Sequence, residues 1–242
     1  MNFRSILIGG LGNQMFQYAF VKSLSIRYDC ELYIKSSSII YRPYLLKIFG
    51  IDDNEGLDIN WESNIGESDV YRDNSEDKYY NGMIDSNYDI CGYWQNENYF
   101  LKYEDQIRKD FSLSPIMSDD DSITIQVRRG DYVNNPRFEY CDLDWYEKAI
   151  SHYGFGKLNI LSDDPNWCRL AFSKYNPNII LGNEEDHLKF MIGSKNLIIS
   201  NSTFGWWGAW LSGSNNVICP DVWLPYKPEQ ETASKKWLKL KK

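Results

Sequence analysis

The chain has 242 residues and a formal net charge of -8, with 43% hydrophobic and 25% charged residues. These are proportions of a water-soluble globular protein, and the length suits one large domain or two small ones. The longest largely apolar stretch, residues 197–211, contains Ser200, Asn201, Ser202 and Thr203 and is too short to span a bilayer, and no cleavage pattern follows the short apolar run ending at Gly9-Gly10. Neither a spanning anchor nor a cleaved signal is therefore expected.

In chain order, residues 3–8 read as a buried strand, Gly9-Gly10-Leu11-Gly12 as a break, 13–28 as a helix and 31–34 as a second strand. Met15 stands where a dinucleotide fingerprint needs its third glycine, and no Walker lysine follows, which disfavours a nicotinamide-dependent oxidoreductase. What remains is a helix start whose N–H groups and dipole suit an anion, or a tight structural turn. Residues 36–89 mix polar runs with aromatic patches, and little regular structure beyond short helices is expected there. From Asp52 to Asp77 there are ten acids and one base, Arg72. The negative charge thus belongs to one excursion and says little about a site. Tyr93-Trp94-Gln95 and then 97–111 read as helical, closing a first half near Pro115. Ser118-Asp119-Asp120-Asp121 reads as a linker, a solvated turn in preference to a metal site.

The alternation then becomes regular. Strands are expected at 123–127, 158–161, 178–181, 197–200 and 217–219, with helices at 145–153, 165–175, 184–193 and 204–211. Short apolar strands alternating with helices indicate a parallel sheet covered on both faces. The expected division is an N-terminal α/β domain over 1–117 and a C-terminal one over 118–242. Two such halves imply a cleft between them, with ligands outside the carboxyl ends of the strands. Cys30, Cys91, Cys141, Cys168 and Cys219 are scattered, odd in number and without a C-x-x-C pair, and His152 and His187 sit at no ligand spacing from them. Reduced packing thiols in the cytoplasm are expected, and no zinc site.

The strand ends carry the chemistry. After 123–127 comes Arg128-Arg129-Gly130-Asp131-Tyr132. Two adjacent arginines at a strand end need anions: a phosphate for at least one of them, or a structural clamp with Asp131. After 158–161 comes Ser162-Asp163-Asp164-Pro165, where one carboxylate would cap the next helix and the other would accept paired N–H donors from a base such as guanine. A metal–diphosphate site ranks last, because Arg128 and Arg129 already supply positive charge. After 197–200 come Asn201, Ser202 and Thr203, small polar residues at a helix start that suit phosphate, followed by tryptophans read as core rather than sugar platform. Together these ends describe a pocket for a nucleoside diphosphate.

GGLGNQMFQYA, VRRGDYV, LSDDPNW and ISNSTFGWWGAWL, with GYWQNENYF and CDLDWYEKAI, occur in the order found in the GDP-L-fucose-dependent galactoside α-1,2-fucosyltransferases of glycosyltransferase family 11, which the chain resembles. The resemblance implies a GT-B-like pair of Rossmann-type domains with parallel sheets facing a central cleft, an acceptor side in the N-terminal half and GDP-fucose held mainly by the C-terminal one. It also implies inversion at the fucose anomeric carbon by single displacement, with no cofactor and no metal. Arg128 resembles the arginine that grips the diphosphate and Asp131 the acid that organises its loop. Asp163 or Asp164 resembles the guanine-reading carboxylate, and Ser202 and Thr203, beside Asn201, the phosphate-side hydroxyls. Gly10, Gly12, Asn13 and Gln14 resemble the loop that closes over diphosphate and fucose. One departure stands out: relatives usually carry histidine two residues before the first arginine, and here it is Gln126, whose amide can hydrogen-bond a nucleotide but cannot titrate near neutral pH.

In such a transferase negative charge grows on the leaving oxygen, and Arg128 with N–H groups near Gly12 and Ser202 would stabilise it. Asp131 and Glu139 are the candidates for taking the acceptor's proton. The expected acceptor is a galactose-terminated oligosaccharide or lipid-linked glycan in surface-polysaccharide synthesis. The tail Lys235, Lys236, Trp237, Lys239, Lys241 and Lys242 would touch an anionic membrane or simply be a solvated end, and nucleic-acid binding is not expected of it. The rivals are a transferase with another GDP-sugar or linkage, and a non-catalytic nucleotide- or glycan-binding module.

Overall fold

The first buried strand, β1 (Phe3–Leu7), ends at a glycine pair that turns the chain into α1 (Leu11–Tyr28). Gly9 takes φ +83°, and a Cβ there would lie 2.5 Å from Asn13 Nδ2, so position 9 needs glycine for both its backbone and its space. The helix consequently begins at Leu11, before the expected residue 13. It is followed by β2 (Leu32–Ser36), β3 (Ser63–Gly66), β4 (Tyr88–Cys91) and α2 (Glu104–Asp110). The computed structural model describes residues 1–36, 42–61, 63–66, 86–133, 135, 137–154, 156–226 and 231–242. Arg72 and the acids Glu62, Glu67, Asp69, Asp73, Glu76 and Asp77 of the acidic excursion lie outside the described residues.

The described chain forms two units, residues 1–112 and 113–242. Residues 113–117 go with the second because Ile116 N–H donates to Lys189 O and Ser118 N–H to Gly193 O. The first unit holds a four-stranded sheet in the order β2-β1-β4-β3, parallel throughout. Its core packs Phe3, Phe20, Val21, Leu24, Ile90 and Trp94, with the Phe20 and Trp94 rings stacked at 4.0 Å. β3 and β4 correct the expectation that residues 36–89 hold no strands. They are four residues each; β4 pairs with β1, more than eighty residues earlier in the chain, and β3 pairs with β4. The register Arg4↔Asp89 is fixed by charge: the Arg4 guanidinium, 7% exposed, forks onto Asp89 at 2.6 and 2.9 Å, donates to Glu55 O at 2.8 Å and covers the Trp61 ring. A buried charge is tolerable only when satisfied in this way.

The helix expected over 97–111 is instead two short 3-10 turns followed by α2. Phe100 separates the turns with φ -139° as it buries its ring beside Phe16, and that backbone value interrupts a helix.

The second unit runs β5 (Ile123–Val127), α3 (Leu143–Tyr153), β6 (Leu158–Ser162), α4 (Pro165–Ala171), β7 (Asn178–Ile180), α5 (Glu184–Ile192), β8 (Asn196–Ile199), α6 (Thr203–Ser212), β9 (Asn216–Pro220) and β10 (Leu238–Leu240). These strands make a parallel six-stranded sheet in the order β10-β9-β8-β5-β6-β7. β5 is buried at every residue, as a strand covered on both faces must be. Asp142, Asp164 and Asn183 cap α3, α4 and α5, each accepting from the N–H three residues on. Trp206, Trp207 and Trp210 of α6 are buried, as the core assignment required.

In the second unit, β10 is a strand that sequence periodicity did not signal. The lysine-rich tail pairs with β9 as an edge strand, and Trp237, 7% exposed, packs on Trp206 at 5.6 Å. That corrects the expected role of Trp237 as a membrane contact, since its ring is core. Lys242 is also drawn inward, donating to Glu139 O. Lys235, Lys236, Lys239 and Lys241 stay exposed, and charged side chains on an edge strand discourage further strand pairing. Among the described residues, no helix is long and apolar enough to cross a membrane.

Candidate active site

In the six-stranded sheet the chain order reverses between β5 and β8, and the crevice outside the carboxyl ends at such a point is where α/β sheets take ligands. The expected site residues of the second half gather at the ends of β5, β6 and β8.

Arg128 leaves β5 with its guanidinium between two carboxylates, paired with Asp131 and, at 2.9 Å, with Asp163 Oδ2. Its side chain is 24% exposed, and its Cζ lies 5.3 Å from the Tyr132 ring centroid. The cluster is close-packed enough that a Cβ on Gly130 would stand 2.5 Å from Asp163 Oδ2, which explains a glycine inside R-R-G-D. Arg129 points elsewhere: it pairs with Asp164 at 3.1 Å and lies over the Trp167 ring at 3.8 Å, only 14% exposed. Both arginines are thus paired with carboxylates, and the expected clamp with Asp131 is made by Arg128. Arg128 stays partly exposed at the end of β5, whereas Arg129 clamps α4 to that end.

The aspartates divide in parallel. Asp164 caps α4 through Trp167 N–H, its own N–H donating to Ser162 Oγ. Asp163 accepts from Arg129 N–H at 2.9 Å while pairing with Arg128. Gln126, 5% exposed, accepts Ser200 Oγ–H at 2.8 Å, and Gly205 leaves it room, since a Cβ there would fall 2.5 Å from Gln126 Oε1. The Gln126 amide oxygen is thus committed to the β8 turn. Asn201 is buried, donating from Nδ2 to Glu139 O at 3.1 Å and Trp223 O at 3.0 Å, so it braces two loops. Ser202 is the N-cap residue of the ten-residue α6 and Thr203 its first residue. Asp131 and Glu139 are both exposed, but Asp131 is held by Arg128, while the nearest described cation to the Glu139 carboxylate is Lys242 at 3.9 Å. Burial lowers the Lys242 ammonium from its ordinary value, against the upward pull of Cys141, Glu139 and Asp221. Burial also pushes the Cys141 thiol up to about 12, making it an inert packing residue. The cysteines form no disulfide, and among the described residues no group of three or more His, Cys, Asp or Glu side chains is placed to hold a metal ion.

In the first unit the end of β1 is built from amides. Gln14 donates to Gly9 O and Pro43 O and accepts Leu45 N–H, each at 2.9 Å, so its buried side chain pins a loop. Asn13 Oδ1 accepts from Gln95 at 3.1 Å, and Gly10 is the N-cap of α1, with Gly12 in its first turn. Gln17, which the sequence did not single out, closes both backbone groups of Ile8, accepting its N–H at 2.8 Å and donating to its carbonyl at 3.1 Å. Its place one helical turn after Asn13, facing the strand, was the available signal.

Comparison with known proteins carries these features to a family. Among solved structures, the crystal structure of the α-1,6-fucosyltransferase NodZ soaked with GDP-fucose superposes with a TM-score of 0.52 at 12% identity, covering 90% of this chain and 94% of NodZ. That likeness shows the fold, a GT-B-like α/β architecture with two parallel sheets. In sequence, the chain is similar over 98% of its length to two Escherichia coli proteins. One is an alpha-1,2-colitosyltransferase, 28% identical and covered over 98%; the other is the O-antigen biosynthesis glycosyltransferase WbnK, 25% identical and covered over 99%. A shorter match, 27% identical over 44% of this chain and 33% of the relative, is to galactoside 2-alpha-L-fucosyltransferase Sec1 of Mus musculus. The model of Glycosyl transferase family 11 matches residues 2–241, and the chain belongs to that family.

Proposed function

We propose that the protein transfers a 6-deoxyhexose, L-fucose first, from its GDP ester to the 2-hydroxyl of a galactoside, with inversion and without a metal. The observation that carries this is Arg128: a partly exposed guanidinium at the carboxyl end of the central strand, in a family of glycosyltransferases. Its fork matches phosphate oxygens, and its two carboxylate partners keep it oriented before a ligand arrives. As the bond between sugar and diphosphate lengthens, charge grows on the leaving oxygen, and Arg128 stabilises that charge more than it stabilises the bound donor. The start of α6 at Ser202 and Thr203 adds the positive end of a helix. Asp163, held in place by Arg129 N–H, is the carboxylate proposed for the base, in preference to Asp164, which already serves as a helix cap.

The same arrangement supports metal independence. The aspartates at these strand ends, Asp131, Asp163 and Asp164, are each already paired with an arginine, so none of them is left open to hold a metal ion. In the first unit, Gly10, Gly12 and Asn13 stand at the positive end of the 18-residue α1, which suits an anion.

A second donor is favoured by one finding, the similarity to an alpha-1,2-colitosyltransferase. Colitose is the 3-deoxy form of L-fucose, so the two donors differ by a single hydroxyl. The relation to WbnK supports an acceptor in O-antigen assembly. The exposed Lys235, Lys236, Lys239 and Lys241 would then approach an anionic membrane by charge alone.

The test is to incubate purified protein with GDP-fucose or GDP-colitose and an array of galactosides, with and without EDTA, and to assign product linkages by NMR. Transfer to the galactose 2-hydroxyl that persists in EDTA is expected. Activity abolished by chelation and restored by a divalent ion would overturn metal independence. Protection by GDP against thermal unfolding with no transfer to any galactoside would favour a binding module instead.

A further inference from the structure

A cavity of about 780 Å³ opens within the second unit, between the segment that follows Arg128 and the end of the chain. Its walls include Tyr132, Phe138, Glu139, Tyr140, Asp142 and Trp145. The size is that of a small-molecule pocket. The Tyr132 and Phe138 rings lie parallel, centroids 4.3 Å apart, and Tyr140 is 37% exposed. Ring faces of this kind suit the C–H face of a pyranose, and carboxylates beside them suit its hydroxyls.

Charge narrows the ligand class. Two carboxylates, Glu139 and Asp142, line the cavity against one ammonium, Lys242, and that ammonium donates to Glu139 O at 2.5 Å. A phosphate would meet net negative charge here, whereas a neutral polyol would not. The backbone at Glu139 is also fixed, because its carbonyl accepts from both Lys242 and Asn201. Its carboxylate, 62% exposed, is held by nothing closer than Lys242 at 3.9 Å among its described ion pairs. Asp131, the other candidate base, is tied to Arg128. The cavity begins one ring away from that arginine, since Tyr132 lines it and Arg128 Cζ is 5.3 Å from the Tyr132 centroid.

We infer that this cavity takes the acceptor: a neutral galactopyranoside lies against Tyr140 and Phe138 with its attacking hydroxyl at Glu139. This rests on the transferase function proposed above and assigns acceptor binding to the second unit, where the family resemblance pointed to the first. In the step, the acceptor oxygen bonds to the anomeric carbon as the bond from that carbon to the diphosphate oxygen breaks. The electron pair of the broken bond leaves with GDP, and the hydroxyl proton passes to the Glu139 carboxylate.

The experiment measures kinetics of wild type, Tyr140→Ala, Tyr140→Phe and Glu139→Gln with GDP-fucose and the best galactoside of the array. Tyr140→Ala is expected to raise the acceptor KM about tenfold or more while leaving the donor KM close to wild type, and Tyr140→Phe to restore it. Glu139→Gln is expected to lower kcat about a hundredfold or more and to remove the acid limb of the pH profile, with donor affinity retained. Wild-type acceptor KM in Tyr140→Ala together with wild-type kcat in Glu139→Gln would overturn the assignment and leave the transferase intact. A rise in donor KM with either variant would give the cavity to the donor instead. A wild type that binds GDP-fucose yet glycosylates no galactoside would refute the ligand class, and one that does not bind GDP-fucose would refute the proposed function itself.

Discussion

The ends of β1 and β5 occupy equivalent places, each the end of an interior parallel strand, yet they are built from opposite chemistry. At β1 the chain uses neutral amides: Gln14 and Gln17 are buried and bonded to backbone groups, and the loop they hold is glycine. At β5 it uses full charges, two arginines interleaved with Asp131, Asp163 and Asp164. An amide network satisfies buried backbone and then has little left for a ligand. A charged network that remains partly exposed keeps a strong field at the opening. The contrast teaches that similar strand–loop–helix units can be closed by neutral amides or by paired charges.

The sharpest way to break that comparison is Arg128→Ala. Turnover is expected to fall by about 10²–10³-fold or more and GDP affinity to drop, with the melting temperature nearly unchanged. A large loss of stability with GDP affinity preserved would make Arg128 structural. Gln17→Leu, at the other end, would leave the N–H and carbonyl of Ile8 without their side-chain partner. Urea unfolding should show a loss of about 1–3 kcal/mol, and no loss would mean that water or a shifted backbone replaces the amide.

Arg129→Ala sharpens the comparison within the charged cluster. Removing the contact with Trp167 and the pair with Asp164 should cost about 1–2 kcal/mol, read as a melting temperature lowered by a few degrees, with GDP affinity close to wild type. Equal effects on GDP binding from both arginines would erase the division of roles. The smallest effect concerns His187, far from either network in chemistry. Burial lowers its imidazole below the ordinary 6.5, against the Ile180 carbonyl, Asp186 and Glu184, which pull it up. The unfolded chain takes up that proton at higher pH than the folded one, so the stability it contributes is present above about 6.5 and is lost as pH falls. Between about pH 8 and about pH 5 the wild type should lose slightly more stability than His187→Gln, and parallel curves would remove His187 as a cause.

Local pattern and strand-end chemistry were legible from the residues. The buried runs at β5, β6 and β8, the helices between them and the tryptophan-rich core helix follow from hydrophobic periodicity, which acts over a few residues. The family motifs lie in those same segments and pointed to glycosyltransferase family 11. Other features depended on partners distant in sequence. β4 exists because β1 offers it an edge and Arg4 meets Asp89, β3 because β4 offers the next edge, and β10 because β9 does. β4 and β10 are only partly buried, whereas β8, no longer than β4, is buried at three positions and so shows as an apolar run.

The same limit governs the site. The sequence alone determined that two arginines, paired aspartates and small hydroxyl residues stand at strand ends, since each follows directly from an apolar run. Only the tertiary structure decided which arginine is clamped on Trp167 and which aspartate caps a helix. It also decided that Gln126 answers Ser200, and that Lys242 and Asn201 converge on the carbonyl of Glu139. The physical reason is range. Periodicity and capping are settled between neighbours along the chain, whereas the direction of a charged or amide side chain is settled by which donor or acceptor the folded sheet brings within about 3 Å.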